Sequence, residues 1–210
     1  IQFNDLEYQI CSGTAFEAEP TLTSGVAPSA NTTYTWTVAS VAGITGASNA
    51  TTAQTEISQT LTSTLATATA IVYTVVGTVD GVESEPFTIT VTVNPTPVVT
   101  IGGLPTGNVC PCSTWETPLT SEISVGSTPV LEYLWTGATA VATDNSTANY
   151  TASNTACTAA DQVSLQIKDA NGCLSEPATA TINVADEVAP SLKAGETITQ
   201  ETISGITEPI

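Results

Sequence analysis

An internal repeat limits how this chain can fold more than any other feature of its sequence. Cys11 and Cys110 lie in matching segments that are 99 residues apart, and the same offset carries Trp36 onto Trp135. Both tryptophans follow a tyrosine by two residues. Repetition at a fixed spacing predicts a structural unit that occurs more than once.

A third match closes each unit. Gly81–Pro86 (GVESEP) aligns with Gly172–Pro177 (GCLSEP) at an offset of 91 residues. Because the three matches recur in the same order, we predict two modules, at residues 1–97 and 98–186. Residues 187–210 would then form the start of a further module or a tail strand.

Each module is predicted to consist of short β-strands. Thr, Val and Ile are abundant, and β-branched residues pack well on pleated surfaces. The Asp80–Gly81 and Asn171–Gly172 dipeptides are typical of hairpin turns, because Gly tolerates a positive φ. The fold class predicted is all-β, with tandem immunoglobulin-like β-sandwich modules. The strands predicted for the first module are at about 6–11, 14–23, 33–39, 55–62, 69–77 and 86–94.

The charge of the chain excludes several classes of partner. It has 20 acidic and 2 basic residues, Lys168 and Lys193, for a net charge of −18. Phosphate backbones and anionic lipid head groups would repel such a chain, so we expect no nucleic-acid binding. No segment approaches the roughly 20 apolar residues of a membrane-spanning helix, so direct membrane insertion is not expected. The sequence has no initiator Met or signal peptide, which indicates a mature or excised segment.

Trp36 and Trp135 are predicted to be core residues. Each lies in an alternating segment, and in immunoglobulin-like sandwiches a Trp on the third strand fills the centre of the core. The alternative is that these tryptophan rings face the solvent and form a platform that binds sugar.

The five cysteines suit disulfides and therefore an oxidising compartment outside the cytoplasm. The repeat favours Cys110–Cys173 and Cys112–Cys157 as pairs among the three connectivities that four cysteines allow. Val82 occupies the place of Cys173 in the first module. Cys11 is therefore predicted to be unpaired, with an intermolecular disulfide as the alternative.

Catalytic and metal-binding groups are sparse in the sequence. There is no His to act as a general base, so an enzyme is not expected. No Asp-rich loop of the kind that holds Ca²⁺ occurs. Asp186 and Glu187 are the first candidates for a Ca²⁺ site between modules, with Asp80 or Asp169 as further ligands. The prediction is otherwise that the protein has no metal and no cofactor.

The repeats resemble a known family of modules. The segments that carry the resemblance are ICSG at 10–13, YTW at 34–36, FTITVTVNPTP at 87–97 and KDANGC at 168–173. They are similar to PKD-like and immunoglobulin-like repeats of giant cell-surface adhesins of Bacteroidetes, including gliding-motility adhesins exported by type IX secretion. The resemblance covers nearly all of residues 1–186, and the first module departs from it at Val82, where such repeats often have a second Cys.

The resemblance implies a structural segment of an extracellular filament attached to the outer membrane. Its partners would be neighbouring repeat modules of the same chain, and surface polysaccharide or other cells. It supplies no catalytic residues. The alternative function is a glycan- or protein-binding module that acts through exposed loops at 42–54 or 137–156, with Tyr150 as a loop aromatic. Polymerisation through residues 191–210 as a strand donated to a neighbour's sheet is a further hypothesis.

Overall fold

The structure of the protein is a computed structural model that describes residues 1–110, 113–140, 145–152 and 158–185. Every regular element in these residues is a β-strand or an isolated bridge. The predicted all-β class is therefore confirmed. The described part of the chain contains no helix of the length and apolarity that a membrane crossing needs.

Nine strands form the first sandwich. Its larger sheet has the strand order β1-β9-β7-β3-β5, with β8 paired to β7, and its smaller sheet has the order β2-β6-β4. The strands are β1 (Leu6–Cys11), β2 (Thr14–Ala18), β3 (Thr33–Val38), β4 (Ile44–Thr45), β5 (Ala50–Gln54), β6 (Ile57–Ser63), β7 (Thr69–Val79), β8 (Val82–Glu83) and β9 (Phe87–Asn94).

The core of the first sandwich lies between its two sheets. Tyr73 and Ile89 enter it from the larger sheet, and Phe16 and Leu61 enter it from the smaller one. All four side chains are almost completely buried. The alternation predicted for 86–94 is observed in β9, where the apolar residues face inward and the threonines are half-buried.

Seven strands form the second sandwich. One sheet has the order β10-β11-β14-β13 and the other has the order β12-β15-β16. The strands are β10 (Val98–Gly102), β11 (Leu119–Val125), β12 (Glu132–Thr136), β13 (Thr139–Ala140), β14 (Thr147–Asn149), β15 (Thr158–Lys168) and β16 (Ala178–Ala185). The module boundaries stay predictions, and residues 186–210 lie outside the described residues.

The strands of the first sandwich differ from the prediction at the end of one strand and by three additional short strands, β4, β5 and β8. The strand expected over 14–23 ends at Ala18, because Pro20 has no N–H to donate to a ladder. The segment between the third and fourth predicted strands contains two additional strands, β4 and β5. β5 pairs with β3 through an irregular register, which a strict period of two does not reveal.

The two matched tryptophans occupy corresponding places. Trp36 is 6% exposed, and its Nε1 donates to the Ser48 carbonyl oxygen over 2.9 Å. Trp135 is half-buried against the core of the second sandwich, and its Nε1 donates to the Asn145 carbonyl oxygen over 2.9 Å. Neither indole ring is an exposed platform.

A matched pair of substitutions tests the core of the first sandwich. Val91→Ala removes a fully buried side chain, whereas Val72→Ala removes one that is 46% exposed on the neighbouring strand. We expect the first change to lower the free energy of unfolding by about 2 to 3 kcal/mol through lost burial and the cavity left behind. The second should cost less than about 1 kcal/mol. The measurement is urea unfolding followed by the NMR signal of the Trp36 indole N–H. Equal effects would show that the assigned inward face is wrong.

Candidate functional site at the junction of the sandwiches

A disulfide bond joins the two sandwiches. Cys11 is the last residue of β1, and Cys173 follows the turn after β15. Their sulfurs are 2.02 Å apart and their Cα atoms are 5.5 Å apart, with a sequence separation of 162 residues. The bond therefore ties the end of the first sandwich to a turn of the second.

This pairing corrects the prediction of a Cys110–Cys173 bond and an unpaired Cys11. Val109 bridges Val184 near the end of β16, whereas Cys173 precedes the start of that strand. Residues 178–184 of the strand, at about 3.3 Å each, separate the two places by roughly 20 Å, and a disulfide needs Cα atoms within about 7 Å. Cys110 is exposed and has no disulfide in the structure. The predicted Cys112–Cys157 pair lies outside the described residues.

The chain around Cys11 is fixed to both sheets of the first sandwich. The Ser12 N–H donates to the Asn94 carbonyl oxygen of β9 over 2.8 Å. The Ser12 hydroxyl donates to the Ser63 carbonyl oxygen of β6 and accepts from the Ser63 N–H, over 3.2 and 2.9 Å. Since these bonds hold one residue to two sheets, the adjacent Cys11 has a defined position.

A buried carboxylate organises the turn that carries Cys173. Asp169 has 0% exposure. Its Oδ1 accepts from the N–H groups of Asn171 and Cys173, each over 3.0 Å. Its Oδ2 accepts from the Ser127 N–H over 3.0 Å and from the Ser127 hydroxyl over 3.2 Å. A buried charge is costly unless it is hydrogen-bonded, and here four donors satisfy it.

The linker between the sandwiches packs against the same turn. A Cβ placed on Gly126 would lie 3.2 Å from the Pro97 Cβ and 3.7 Å from the Asp169 Cβ. Gly126 also has a φ of 130°, which side-chain-bearing residues rarely adopt. A cleft of about 200 Å³ beside the linker is lined by residues of both sandwiches, including Leu65, Val98 and Val125. The linker therefore lies against residues of both sandwiches.

The candidate Ca²⁺ ligands do not come together in the described residues. The Asp169 oxygens already accept four hydrogen bonds, and Asp80 Oδ1 accepts from the Ser29 hydroxyl over 3.1 Å. Residues 1–110, 113–140, 145–152 and 158–185 contain no group of three or more His, Cys, Asp or Glu side chains that could hold a metal ion. Asp186 and Glu187 fall outside these ranges.

Tyr150 is not the exposed loop aromatic that was predicted. It is 1% exposed, and its hydroxyl donates to Asp161 Oδ2 over 2.8 Å. Burial, with a smaller effect of the Asp161 carboxylate, raises the pKa of the Tyr150 hydroxyl. All 11 aromatic residues of the chain are described, and each is buried or half-buried. No aromatic ring is therefore fully available for stacking on a sugar.

The loop at 42–54 borders a polar groove of about 420 Å³ that includes Gln54, Glu56 and Gln59. The Gln59 side chain fixes the loop: its Oε1 accepts from the Ser48 N–H over 3.0 Å, and its Nε2 donates to the Ser48 carbonyl oxygen over 2.8 Å. Gln59 Oε1 also accepts from the Tyr73 hydroxyl over 2.9 Å. The groove is therefore preformed, and Gln54 and Glu56 are among the polar residues that line it. The second predicted loop, 137–156, is described only in part.

Comparison with known proteins supports the fold. Residues 8–97 match the family model described as a PKD-like domain. A search of curated proteins gives no match. PKD-like and immunoglobulin-like domains are typical of extracellular structural or binding proteins and are generally non-catalytic. The disulfide agrees with an oxidising, extracytoplasmic location.

Solved structures of tandem β-sandwich proteins resemble the chain at low identity. Fibronectin(III)-like modules of CbhA from Clostridium thermocellum are 15% identical, with 86% of this chain and 90% of that chain covered and a TM-score of 0.33. The N-terminal eight Ig domains of Down Syndrome Cell Adhesion Molecule are 11% identical, with 87% and 23% covered and a TM-score of 0.41. An I-band fragment of titin is 12% identical, with 88% and 63% covered and a TM-score of 0.37.

Replacing Asp169 tests whether its carboxylate holds the junction turn. Asp169→Asn places an NH₂ group among four donors, so at least one donor loses its acceptor. We expect the second sandwich to lose about 1 to 3 kcal/mol of unfolding free energy. Asp80→Asn is the matched control, because it removes the same charge from a turn where one hydroxyl donates to the carboxylate. It should change stability by less than about 0.5 kcal/mol. Urea unfolding followed at the Trp135 indole N–H measures both, and equal effects would contradict the role given to Asp169.

Proposed function

We propose that this chain is a structural segment of an extracellular bacterial surface adhesin or filament. Its modules space and present adhesive regions, and they carry no catalytic activity. We further propose that the parent protein is attached to the outer membrane, is exported by type IX secretion in a member of the Bacteroidetes, and takes part in adhesion of the gliding-motility type. The bond between Cys11 and Cys173 is the observation that carries the proposal.

The disulfide gives tension a short covalent path through both sandwiches. A force applied at the two ends of the chain passes along β1 to Cys11, across the sulfur atoms, and then from Cys173 into β16. The intervening chain, with a sequence separation of 162 residues, lies outside this path. It therefore cannot be extended while the bond is intact, and a spacer of this kind keeps its length under load.

The pairing of β1 supports the same function. β1 runs parallel to β9, with six residue pairs in register from Leu6 with Ile89 to Cys11 with Asn94. When the disulfide is reduced, tension instead pulls the start of β1 away from the end of β9 and loads these pairs together, because it acts along the strands and across the hydrogen bonds between them. The first sandwich should resist shear better than a sheet that is opened one pair at a time.

Single-molecule extension of the chain tests the proposed function. At a contour length of about 3.6 Å per residue, the disulfide should shorten the full extension by roughly 580 Å compared with the reduced chain. Cys173→Val should give the longer extension without any reductant, because it inserts the residue found at the matching position, Val82. Cys110→Ser should leave the short extension unchanged. Full extension of the oxidised chain at low force would sink the proposal.

A binding module acting through exposed loops is the second candidate function, and the preformed polar groove beside Gln54 and Glu56 favours it. Its partners would be surface polysaccharide or other cells. Glycan-array binding of the chain provides the test, with Gln54→Ala and Glu56→Ala as variants and Gln9→Ala, on an exposed position of β1, as the control. Under the spacer proposal we expect no glycan to be retained. Retention that both groove variants abolish and the control preserves would favour the binding module instead.

A further inference from the structure

Cys110 lies in the second sandwich where Cys11 lies in the first. The residue before each cysteine makes a parallel pairing with the last strand of its own sandwich, so each cysteine stands beside the point at which the chain leaves that sandwich. The two pairings are Ile10 with Val93 and Val109 with Val184.

The same hydrogen bond also follows each cysteine. The hydroxyl three residues later donates to the cysteine carbonyl oxygen: Thr14 Oγ1 to Cys11 over 2.7 Å, and Ser113 Oγ to Cys110 over 2.6 Å. Two independent features, the strand pairing and this hydrogen bond, therefore give the two thiols equivalent positions. In the first sandwich that position is bonded to the next module, and in the second the thiol is exposed.

The other partner in the bond also has an equivalent. Cys173 and Val82 each follow a glycine of positive φ, 81° at Gly172 and 86° at Gly81. The serine two residues later is buried in both cases and accepts a 3.0 Å hydrogen bond from a strand N–H of the same sheet. Each sandwich thus has a turn position at one end, held by Val82 or Cys173, and a thiol position at the other, held by Cys11 or Cys110. In the described residues only the turn position of the second sandwich carries Cys.

We propose that Cys110 forms a disulfide with a turn cysteine of a following β-sandwich module, as Cys11 does with Cys173. The inference rests on the proposed function and adds a partner to it. A second copy of this chain is a poorer partner, because its Cys173 is bonded to Cys11 and its Val82 has no thiol. Residues 186–210 contain no Cys. Cys112 and Cys157 lie elsewhere in the repeat, and its turn position holds only Val82 and Cys173 within residues 1–210. The proposed turn cysteine therefore belongs to a module outside these residues.

The bond forms by oxidation of two thiols. The Cys110 thiol and the partner thiol lose two protons and two electrons as their sulfurs join. A disulfide oxidant, such as oxidised glutathione or a disulfide oxidoreductase, accepts them and becomes two thiols. Exposure of Cys110 gives such an oxidant access to it.

A three-module chain tests the inference. Residues 1–185 are followed directly by a second copy of residues 95–185, which repeats the junction because Ala185 takes the place of Asn94. The second copy carries Leu174→Val, so that its Cys173 peptide differs in mass from the first. It also carries Cys110→Ser, so that the alkylated Cys110 peptide comes from the first copy alone. After oxidation in a glutathione buffer, we expect peptide mapping to find Cys110 joined to Cys173 of the second copy, with loss of the alkylated Cys110 peptide.

The control is the same three-module chain with Cys173→Val in the second copy. There we expect the alkylated Cys110 peptide to return, while Cys11 stays bonded to Cys173 of the first copy. Alkylated Cys110 in the unaltered three-module chain, or a bond from Cys110 to Cys112 or Cys157, would overturn the inference. If Cys11–Cys173 still forms and still shortens the extension under force, the proposed function survives that result. Absence of the Cys11–Cys173 bond would contradict both this inference and the proposed function.

Discussion

The covalent bond between Cys11 and Cys173 is the constraint on which the relation between the two sandwiches depends. It is effective because both of its ends are ordered. Ser12 holds one end to β6 and β9, and the four hydrogen bonds to Asp169 shape the turn at the other. A disulfide between two loose loops would limit the distance between modules and leave their orientation free. Here the sulfur bridge joins two fixed points.

Much of the fold could be predicted from the sequence, because a half-buried sheet imposes a period of two on its strands. β9 has that pattern, and the matched tryptophans indicated equivalent strands in the two modules. The parallel pairing of β1 with β9 could not be predicted, since alternation shows which side chains face inward and not which strand lies alongside. The burial of Tyr150 was missed for a related reason. Its neighbours are polar, and the contact that buries it comes from distant parts of the chain.

The disulfide shows that a sequence repeat identifies equivalent cysteine positions but does not determine which cysteines pair. Alignment established that Cys11 matches Cys110 and that Val82 matches Cys173, and it suggested pairing within a module. Pairing depends on which end of the sandwich each residue occupies, and that is set by strand direction over the whole module. One feature of the sequence did indicate pairing between modules. Because Val82 occupies the partner position in the first module, Cys11 can form the equivalent bond only with the turn cysteine of the next module.

The junction also has to hold together two modules that carry charge of the same sign. The first 97 residues contain acidic side chains and no Lys or Arg, and the whole chain has a net charge of −18. Adjacent modules therefore repel one another over distances up to the Debye length of about 8 Å at physiological salt. With so few cations, ion pairs cannot hold the modules together, and the junction uses a covalent bond, backbone donors and the packing of Pro97 on Gly126 instead.

Repulsion between the acidic modules favours an extended array, and the disulfide stops that repulsion from separating the two sandwiches. The buried Asp169 carboxylate lies at the junction itself, where four N–H and O–H donors replace the water that would otherwise solvate it, so the contact holds without a cation.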